Sequence, residues 1–226
     1  MEIGGWRRPF DWNWIKAGVM VCIPLLGATL ALRGIQTIDR YWLQALVDTK
    51  MVGLYVLYMG IASTMLAFLD AGVFAYTYPE LIKCFQNGRA QEFKKYLKRM
   101  FVLTIATSAA FSLVSLLLLP YLLRWIGNDF YTSHQNIYGW VLLAVVINAL
   151  GMVPHYALYA QGRDRPIIVS HLAGMVTFMV VTFLAGYIVP QIAVPLGMAS
   201  AFGVILLWKG ICFLDGAETR LAAVHE

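Results

Sequence analysis

Six long apolar stretches occupy most of this 226-residue chain and limit what it can fold into. A helix needs about 20 consecutive apolar residues to cross the hydrocarbon core of a bilayer, and each stretch is at least that long. Only helices and closed barrels satisfy every backbone polar group inside a bilayer, and runs of this length indicate helices. The sequence predicts an all-α integral membrane protein with one membrane domain over 1–226 and spans at about 14–38, 51–79, 101–123, 137–160, 166–188 and 190–214.

Composition supports the same class. The chain is 60% hydrophobic and 13% charged, whereas soluble domains are about 25% charged. The six spans use nearly all of the residues, so we expect no soluble catalytic domain. The first stretch is longer than a signal-peptide core and lacks a small-residue cleavage pattern, so it is expected to remain as a helix.

Basic residues are distributed unevenly between the two sets of loops. Lys and Arg in short loops stay on the cytoplasmic side, and this rule predicts that both termini are cytoplasmic. The basic face should attract anionic membrane lipids, which accounts for the net charge of +5 without a nucleic-acid partner. The basic residues assigned to this face are Arg7, Arg8, Lys16, Lys83, Arg89, Lys94, Lys95, Lys98, Arg99, Arg163, Arg165, Lys209 and Arg220.

A polar stripe runs along the first span. Its members recur every three or four residues, so they share one face of a helix. An arginine in hydrocarbon costs at least about 2.5–3.5 kcal/mol and almost always points into a bundle or a cavity. Snorkelling to the interface is the alternative, but it leaves the polar residues deeper in the span unexplained. We expect a water-lined or partner-lined face made of Thr29, Arg33, Gln36, Thr37, Arg40 and Gln44.

The second span carries its own polar line. Ser63, Asp70 and Thr77 repeat every seven residues, and Asp70 is the acid that we expect deep in a span. Counted from the turn at 48–50, the depths of Asp70 and Arg33 differ by about 7 Å at a helical rise of about 1.5 Å per residue. An ion pair between them is therefore predicted. It could simply neutralise itself, or it could serve a substrate or a coupling ion, and both alternatives stay open.

Prolines and basic residues suggest where the middle spans end. We expect Pro79 to end the second span and Pro120 to end the third. Between them, 80–100 is predicted to be a basic cytoplasmic connector that forms an interfacial amphipathic helix. Contact with lipid headgroups is its expected role, and capture of an anionic substrate is the alternative.

Two histidines flank the short turn at 161–166. His155 precedes this turn and His171 follows it, so they should lie at similar depth. They could form a proton-relay pair, or they could be ordinary hydrogen-bonded interfacial histidines. No third ligand at metal-binding spacing accompanies them.

The sequence offers no catalytic constellation. It contains no G-x-S-x-G, no H-E-x-x-H and no Asp-rich phosphate site. Its three cysteines, Cys22, Cys84 and Cys212, show no paired spacing for a disulfide framework or a zinc site. We therefore expect neither an enzyme nor a bound metal or cofactor.

Several short segments, in this order and spacing, resemble one family over nearly the whole chain. Segments 37–43 (TIDRYWL) and 52–55 (VGLY) resemble the "DR(F/Y)-x-(L/I) … VG-x-Y" segment of polysaccharide transporters, which are the oligosaccharide-lipid flippases of the multidrug, oligosaccharidyl-lipid and polysaccharide exporter superfamily. Later segments agree with this resemblance: 78–81 (YPEL), 125–127 (WIG), 130–131 (FY) and 160–163 (AQGR).

The resemblance implies a transporter lobe. Family members usually have twelve to fourteen spans, and this chain is similar to the carboxy-terminal half, whose partner would be a second copy or another transporter half. The implied substrate is an undecaprenyl-diphosphate-linked oligosaccharide, such as an O-antigen unit of lipopolysaccharide, moved across the bacterial inner membrane. Arg33 and Arg40, with Gln36 and Thr37, would bind it, and Asp70 would balance or couple the charge.

Two other interpretations follow from the half-size chain. It could be a non-transporting membrane subunit of a polysaccharide biosynthesis assembly, or it could be an inactive fragment. The first alternative predicts a stable complex with another membrane protein and indifference to the loss of Arg33 or Asp70.

Overall fold

A computed structural model describes residues 11–222, and this part of the chain is helical, with no strand. Six of its helical segments are long and apolar enough to cross a membrane, which confirms the predicted all-α bundle. In chain order the elements are α1 (Trp12–Leu46), α2 (Thr49–Leu69), a π-helical turn (Asp70–Phe74), α3 (Ala75–Gln86), α4 (Ala90–Ile126), α5 (Asp129–Ser133), α6 (Asn136–Ala160), α7 (Asp164–Gly186) and α8 (Pro190–Ala222).

The turn between α1 and α2 is only two residues long, at positions 47–48. α1 ends at Leu46, and the Asp48 side chain caps the next helix by accepting a hydrogen bond of 2.7 Å from the backbone N–H of Met51. Such a cap satisfies one of the backbone donors that a helix start leaves unpaired. α1 and α2 therefore form a hairpin, and both carry their polar lines back from the same turn.

Glycines, and not prolines, end the middle helices. Pro79 lies inside α3 and Pro120 lies inside α4, so both predicted helix ends are wrong. A proline removes one backbone hydrogen bond, and a membrane helix tolerates this because neighbouring groups can satisfy the freed carbonyl. The chain turns instead at Gly88 (φ 66°) and Gly127 (φ 69°), since glycine adopts this left-handed conformation at little steric cost.

The predicted connector over 80–100 is not a separate helix. Its first residues complete α3 and its last residues begin α4, and the two helices meet at the short turn around Gly88. Phe93 and Met100 are buried against the bundle. The basic side chains of this segment therefore lie at the end of α3, in the turn around Gly88 and at the beginning of α4.

α8 organises the bundle. Its contacts with α7 and α6 are the most extensive in the fold, and α1 packs against both α7 and α8. Small residues allow the close approach of α7 and α8, as is common where membrane helices pack. A methyl group at Gly197 of α8 would overlap the Thr182 hydroxyl of α7, and one at Gly174 of α7 would lie 2.5 Å from Ile205 Cδ1.

We predict that Gly197→Ala destabilises the bundle. The added methyl group forces Thr182 to move, and overpacking of this kind costs about 1–3 kcal/mol, which corresponds to a fall of about 3–10 °C in melting temperature. Thermal unfolding of the detergent-purified protein measures it. Gly203→Ala on the same helix is the control, because no atom lies within 4 Å of its added methyl group. Equal melting temperatures for the two variants would contradict the packing argument.

Candidate functional site

A polar cavity of about 580 Å³ lies among α1, α2, α6 and α8. This volume falls within the range of sites that hold small molecules. Part of its wall is apolar, but α1 contributes two cations, and an acid follows the end of α2. The polar residues in its lining are Arg33, Gln36, Thr37, Asp39, Arg40, Ser63, Asp70 and Asn148.

The predicted stripe on α1 faces this cavity over its central part. All four residues predicted to bind substrate line the cavity, namely Arg33, Gln36, Thr37 and Arg40. Both arginines are exposed. Thr29 and Gln44, the two ends of the stripe, lie outside the lining. The structure thus brings the four side chains together, and their part in binding stays a prediction.

Local hydrogen bonds orient the stripe. Arg33 Nη1 donates to Gln36 Oε1 at 3.2 Å, one turn further along the helix. The Thr37 hydroxyl donates to the Arg33 backbone carbonyl at 2.9 Å. These contacts use one of the five N–H donors of the Arg33 guanidinium, so the side chain keeps capacity for an anion.

The predicted Arg33–Asp70 ion pair is not formed. Their side chains form no ion pair within 4 Å, whereas Lys83–Glu80 and Arg89–Glu92 do. Arg33 and Asp70 instead line the same cavity from different helices, because the space between α1 and α2 is open at this level. Asp70 begins the π-helical turn, a backbone irregularity that often marks functional positions in helices.

A buried carboxylate lies beside the exposed arginines. Asp39 is 1% exposed. Its Oδ2 accepts a hydrogen bond of 2.7 Å from the Tyr55 hydroxyl on α2, and its Oδ1 accepts one of 2.8 Å from the Arg40 backbone N–H. The same hydroxyl lies 2.9 Å from the Met198 sulfur on α8. The Tyr55 hydroxyl of α2 therefore contacts both α1 and α8 at the edge of the cavity.

Asp39 corrects the expectation that Asp70 alone is an acid deep in a span. The signal was present in the sequence, because Asp39 lies four residues from both Ile35 and Leu43, and these three positions form the buried face of α1. The Asp39–Tyr55 hydrogen bond joins the two segments quoted above, since Asp39 belongs to TIDRYWL and Tyr55 to VGLY.

A second polar cluster lies where α6, α7 and α8 meet. Lys209 Nζ is 3.2 Å from His155 Nδ1 and 3.0 Å from His171 Nε2. Lys209 is 2% exposed, so its side chain lies inside the bundle and not among the loop residues with which it was grouped. The long, flexible Lys209 side chain lies between the imidazoles because α8 packs against both α6 and α7. The two histidines, expected at similar depth, come together through a lysine that the sequence reasoning missed.

Within residues 11–222 no group of three or more His, Cys, Asp or Glu side chains could hold a metal ion. Both hydroxyl groups in the lining, of Thr37 and Ser63, donate to backbone carbonyls of their own helices, so neither is paired with a side-chain base. Its chemistry is the chemistry of binding: two guanidinium groups, amide and hydroxyl groups, and one exposed carboxylate.

Comparison with known proteins gives one distant relative. A Shigella flexneri protein named "Putative O-antigen transporter" is 24% identical over 137 residues, which are 60% of this chain and 32% of the relative's length. No protein-family model matches the chain. The relative is named a transporter, and six helices of this chain are long and apolar enough to cross a membrane.

We predict that Tyr55→Phe destabilises the fold. The substitution removes the hydroxyl that donates to the buried Asp39 carboxylate, and a hydrogen bond to a charged group contributes about 1.5–3 kcal/mol. The free energy of unfolding in mixed micelles measures the loss. Tyr41→Phe removes the same hydroxyl from an exposed position on α1 and should change stability by less than about 0.5 kcal/mol. A Tyr55→Phe variant as stable as Tyr41→Phe would contradict the proposed bond.

Proposed function

We propose that this chain is a flippase-like transporter lobe that moves undecaprenyl-diphosphate-linked oligosaccharide across the bacterial inner membrane by alternating access. The observation that carries the proposal is the placement of Arg33 and Arg40, both exposed and on the same face of α1, in the lining of a cavity among membrane helices. The distant similarity to the Shigella flexneri protein supports the same substrate class.

The chemistry of the cavity suits a diphosphate. A guanidinium presents a planar fork of donors that matches phosphate oxygens, and charge-assisted bonds of this kind are about twice as strong as neutral ones. Arg33 and Arg40 are seven residues apart on one helix, so they lie about 10 Å apart along its axis. Two cations at this separation can engage the diphosphate together with Gln36 and Thr37 between them.

Asp70 gives the cavity a means of changing its charge. It faces the arginines across the cavity without pairing with them. When no substrate is bound, the negative charge of Asp70 partly offsets the positive charge of the two arginines. A bound diphosphate contacts the arginines directly and neutralises them more strongly than Asp70 does. The π-helical turn that starts at Asp70 places a helix irregularity next to the charge, which suits a segment that moves during transport.

The lobe is proposed to act with a second half, either another copy of this chain or a separate transporter half. The match extends over 32% of the relative's length, and the exposed arginines of α1 leave the cavity accessible to a facing lobe. The alternative is a non-transporting membrane subunit of a polysaccharide biosynthesis assembly, or an inactive fragment. The short coverage of the relative is the observation that keeps this alternative open.

We predict that the protein in nanodiscs retains undecaprenyl diphosphate in preference to uncharged undecaprenol, as measured by native mass spectrometry. Arg33→Gln and Arg40→Gln should each weaken retention about 10- to 150-fold, since losing one charge-assisted contact costs about 1.5–3 kcal/mol. Arg124→Gln is the matched control, because this arginine is exposed at the end of α4, away from the cavity. Equal effects of all three substitutions would contradict a cavity site.

We predict that Asp70→Asn separates binding from transport. Removing the negative charge should leave diphosphate binding unchanged or up to about fivefold tighter, while flipping of a fluorescent lipid-linked oligosaccharide in proteoliposomes falls. Asp129→Asn, an exposed acid outside the cavity, is the control.

The same preparation distinguishes the alternatives by its native mass. A dimer or a paired half with Arg33-dependent flipping supports the transporter. A stable complex with a biosynthetic membrane protein, unaffected by loss of Arg33 or Asp70, would establish the non-transporting subunit, and a monomer that neither binds nor flips would establish the fragment.

A further inference from the structure

Three nitrogen bases from three helices meet in the interior of the bundle. Lys209 of α8 lies between His155 of α6 and His171 of α7, with its Nζ within 3.2 Å of a ring nitrogen of each. The imidazole rings are nearly parallel, with an angle of 11° and centroids 6.0 Å apart. We call Lys209, His155 and His171 the nitrogen triad. The proposed transport through the larger cavity, which Arg33 and Arg40 line, does not use it.

Among residues 11–222, no carboxylate lines the space beside the triad. A small cavity of about 70 Å³ adjoins it, and the three triad residues are the titratable groups in its lining. The rings of Tyr156 and Tyr159 lie against the His155 ring from its own helix. The other packed helix, α1, contributes Leu32 to this lining and brings the Ala28 backbone close to His171, whose buried Nδ1 forms no hydrogen bond. The nearest cation of α1 in sequence, Arg33, lines the larger cavity instead.

While Lys209 is protonated, the donor and acceptor properties of the three groups allow one arrangement of charge. An ammonium group has three donors and no acceptor, so each contacting ring nitrogen must offer a lone pair. Protonating an imidazole as well would turn that nitrogen into a second donor and place two positive charges about 3 Å apart. In this state His155 carries its hydrogen on Nε2, and His171 carries its hydrogen on Nδ1.

We propose that the nitrogen triad is a binding site for a single proton, shared among Lys209 Nζ, His155 Nδ1 and His171 Nε2. The proton moves along the hydrogen bond from the ammonium to a ring nitrogen, which leaves a neutral amine and one imidazolium, and the reverse step restores the ammonium. The total charge of the triad stays at one while the proton is bound and falls to zero when it leaves.

The triad lies next to the larger cavity. Asn148 and Phe202 line both cavities, so one wall separates the triad from the space that holds the arginines. Asn148 offers an amide that can bond to water on either side. In the proposed site the proton exchanges with the larger cavity across this wall, and this proposal goes beyond the proposed substrate and does not require it.

Solid-state NMR of the full chain in liposomes, labelled with ¹⁵N at histidine and lysine, tests the proposal. Single His→Gln and Lys→Met variants assign the signals, and free imidazole reports the pH. Between about pH 5 and 8, the charged fractions of Lys209, His155 and His171 should sum to at most one. The neutral rings should show the Nε2–H form at His155 and the Nδ1–H form at His171. A sum above one, or mixed forms at both rings, would overturn the proposal.

Substitution of the lysine gives a second test. In Lys209→Met the ammonium donor is gone, so the signals of both His155 and His171 should change tautomer or charge state over the same pH range. Lys95→Met, an exposed lysine on α4, should leave both signals unchanged. Identical histidine spectra for Lys209→Met and the unmodified chain would overturn the shared site, and if this variant does not fold, the tautomers and the charge sum of the unmodified chain decide alone.

Discussion

Hydrocarbon cannot satisfy polar groups, and this constraint explains the arrangement of α1 and hence of the whole site. The helix carries two arginines, an aspartate and several neutral polar side chains, and each must find a partner or water inside the bundle. Asp39 is buried and accepts a hydrogen bond from the Tyr55 hydroxyl. Arg33 and Arg40 line a cavity. The rotation of α1 about its axis follows from these needs, because Ile35, Asp39 and Leu43 must face the core while the arginines face the opening.

The Asp39–Tyr55 contact gives the cavity a fixed edge. It joins α1 to α2 beside Arg40, and the same tyrosine reaches Met198 on α8. Helices that supply most of the cavity wall are therefore held by one buried hydrogen-bonded group. A site that binds a large anion benefits from this arrangement, since its cations can stay unpaired and accessible only if another interaction holds their helix in place.

Two polar clusters share the bundle but differ in chemistry. The larger cavity holds permanent cations, since arginine stays protonated, together with one exposed acid. The nitrogen triad holds groups that can exchange a proton and lies among α6, α7 and α8, where Lys209 is buried and His155 is half-buried. Asn148 and Phe202 form the common wall of the two clusters.

Much of the fold could be predicted because membrane insertion is governed by local composition: each apolar run needs to be long enough, and six are. The continuation of α3 through Pro79 and of α4 through Pro120 could not be predicted. A proline breaks a helix in water more readily than in a bundle, where neighbouring groups satisfy the freed carbonyl. The stripe on α1 was visible because all its members lie on one helix.

The sequence by itself determined the helical class, the six spans and the cationic face of α1, since each depends on residues that are near one another in the chain. Only the tertiary structure decided that Arg33 and Asp70 face a common space without pairing, that Asp39 is buried against Tyr55, and that Lys209 lies between His155 and His171. These outcomes depend on how helices from distant parts of the chain rotate and approach one another. Small residues such as Gly174 and Gly197 allow a close approach, but their positions in the sequence do not show which helix each of them contacts.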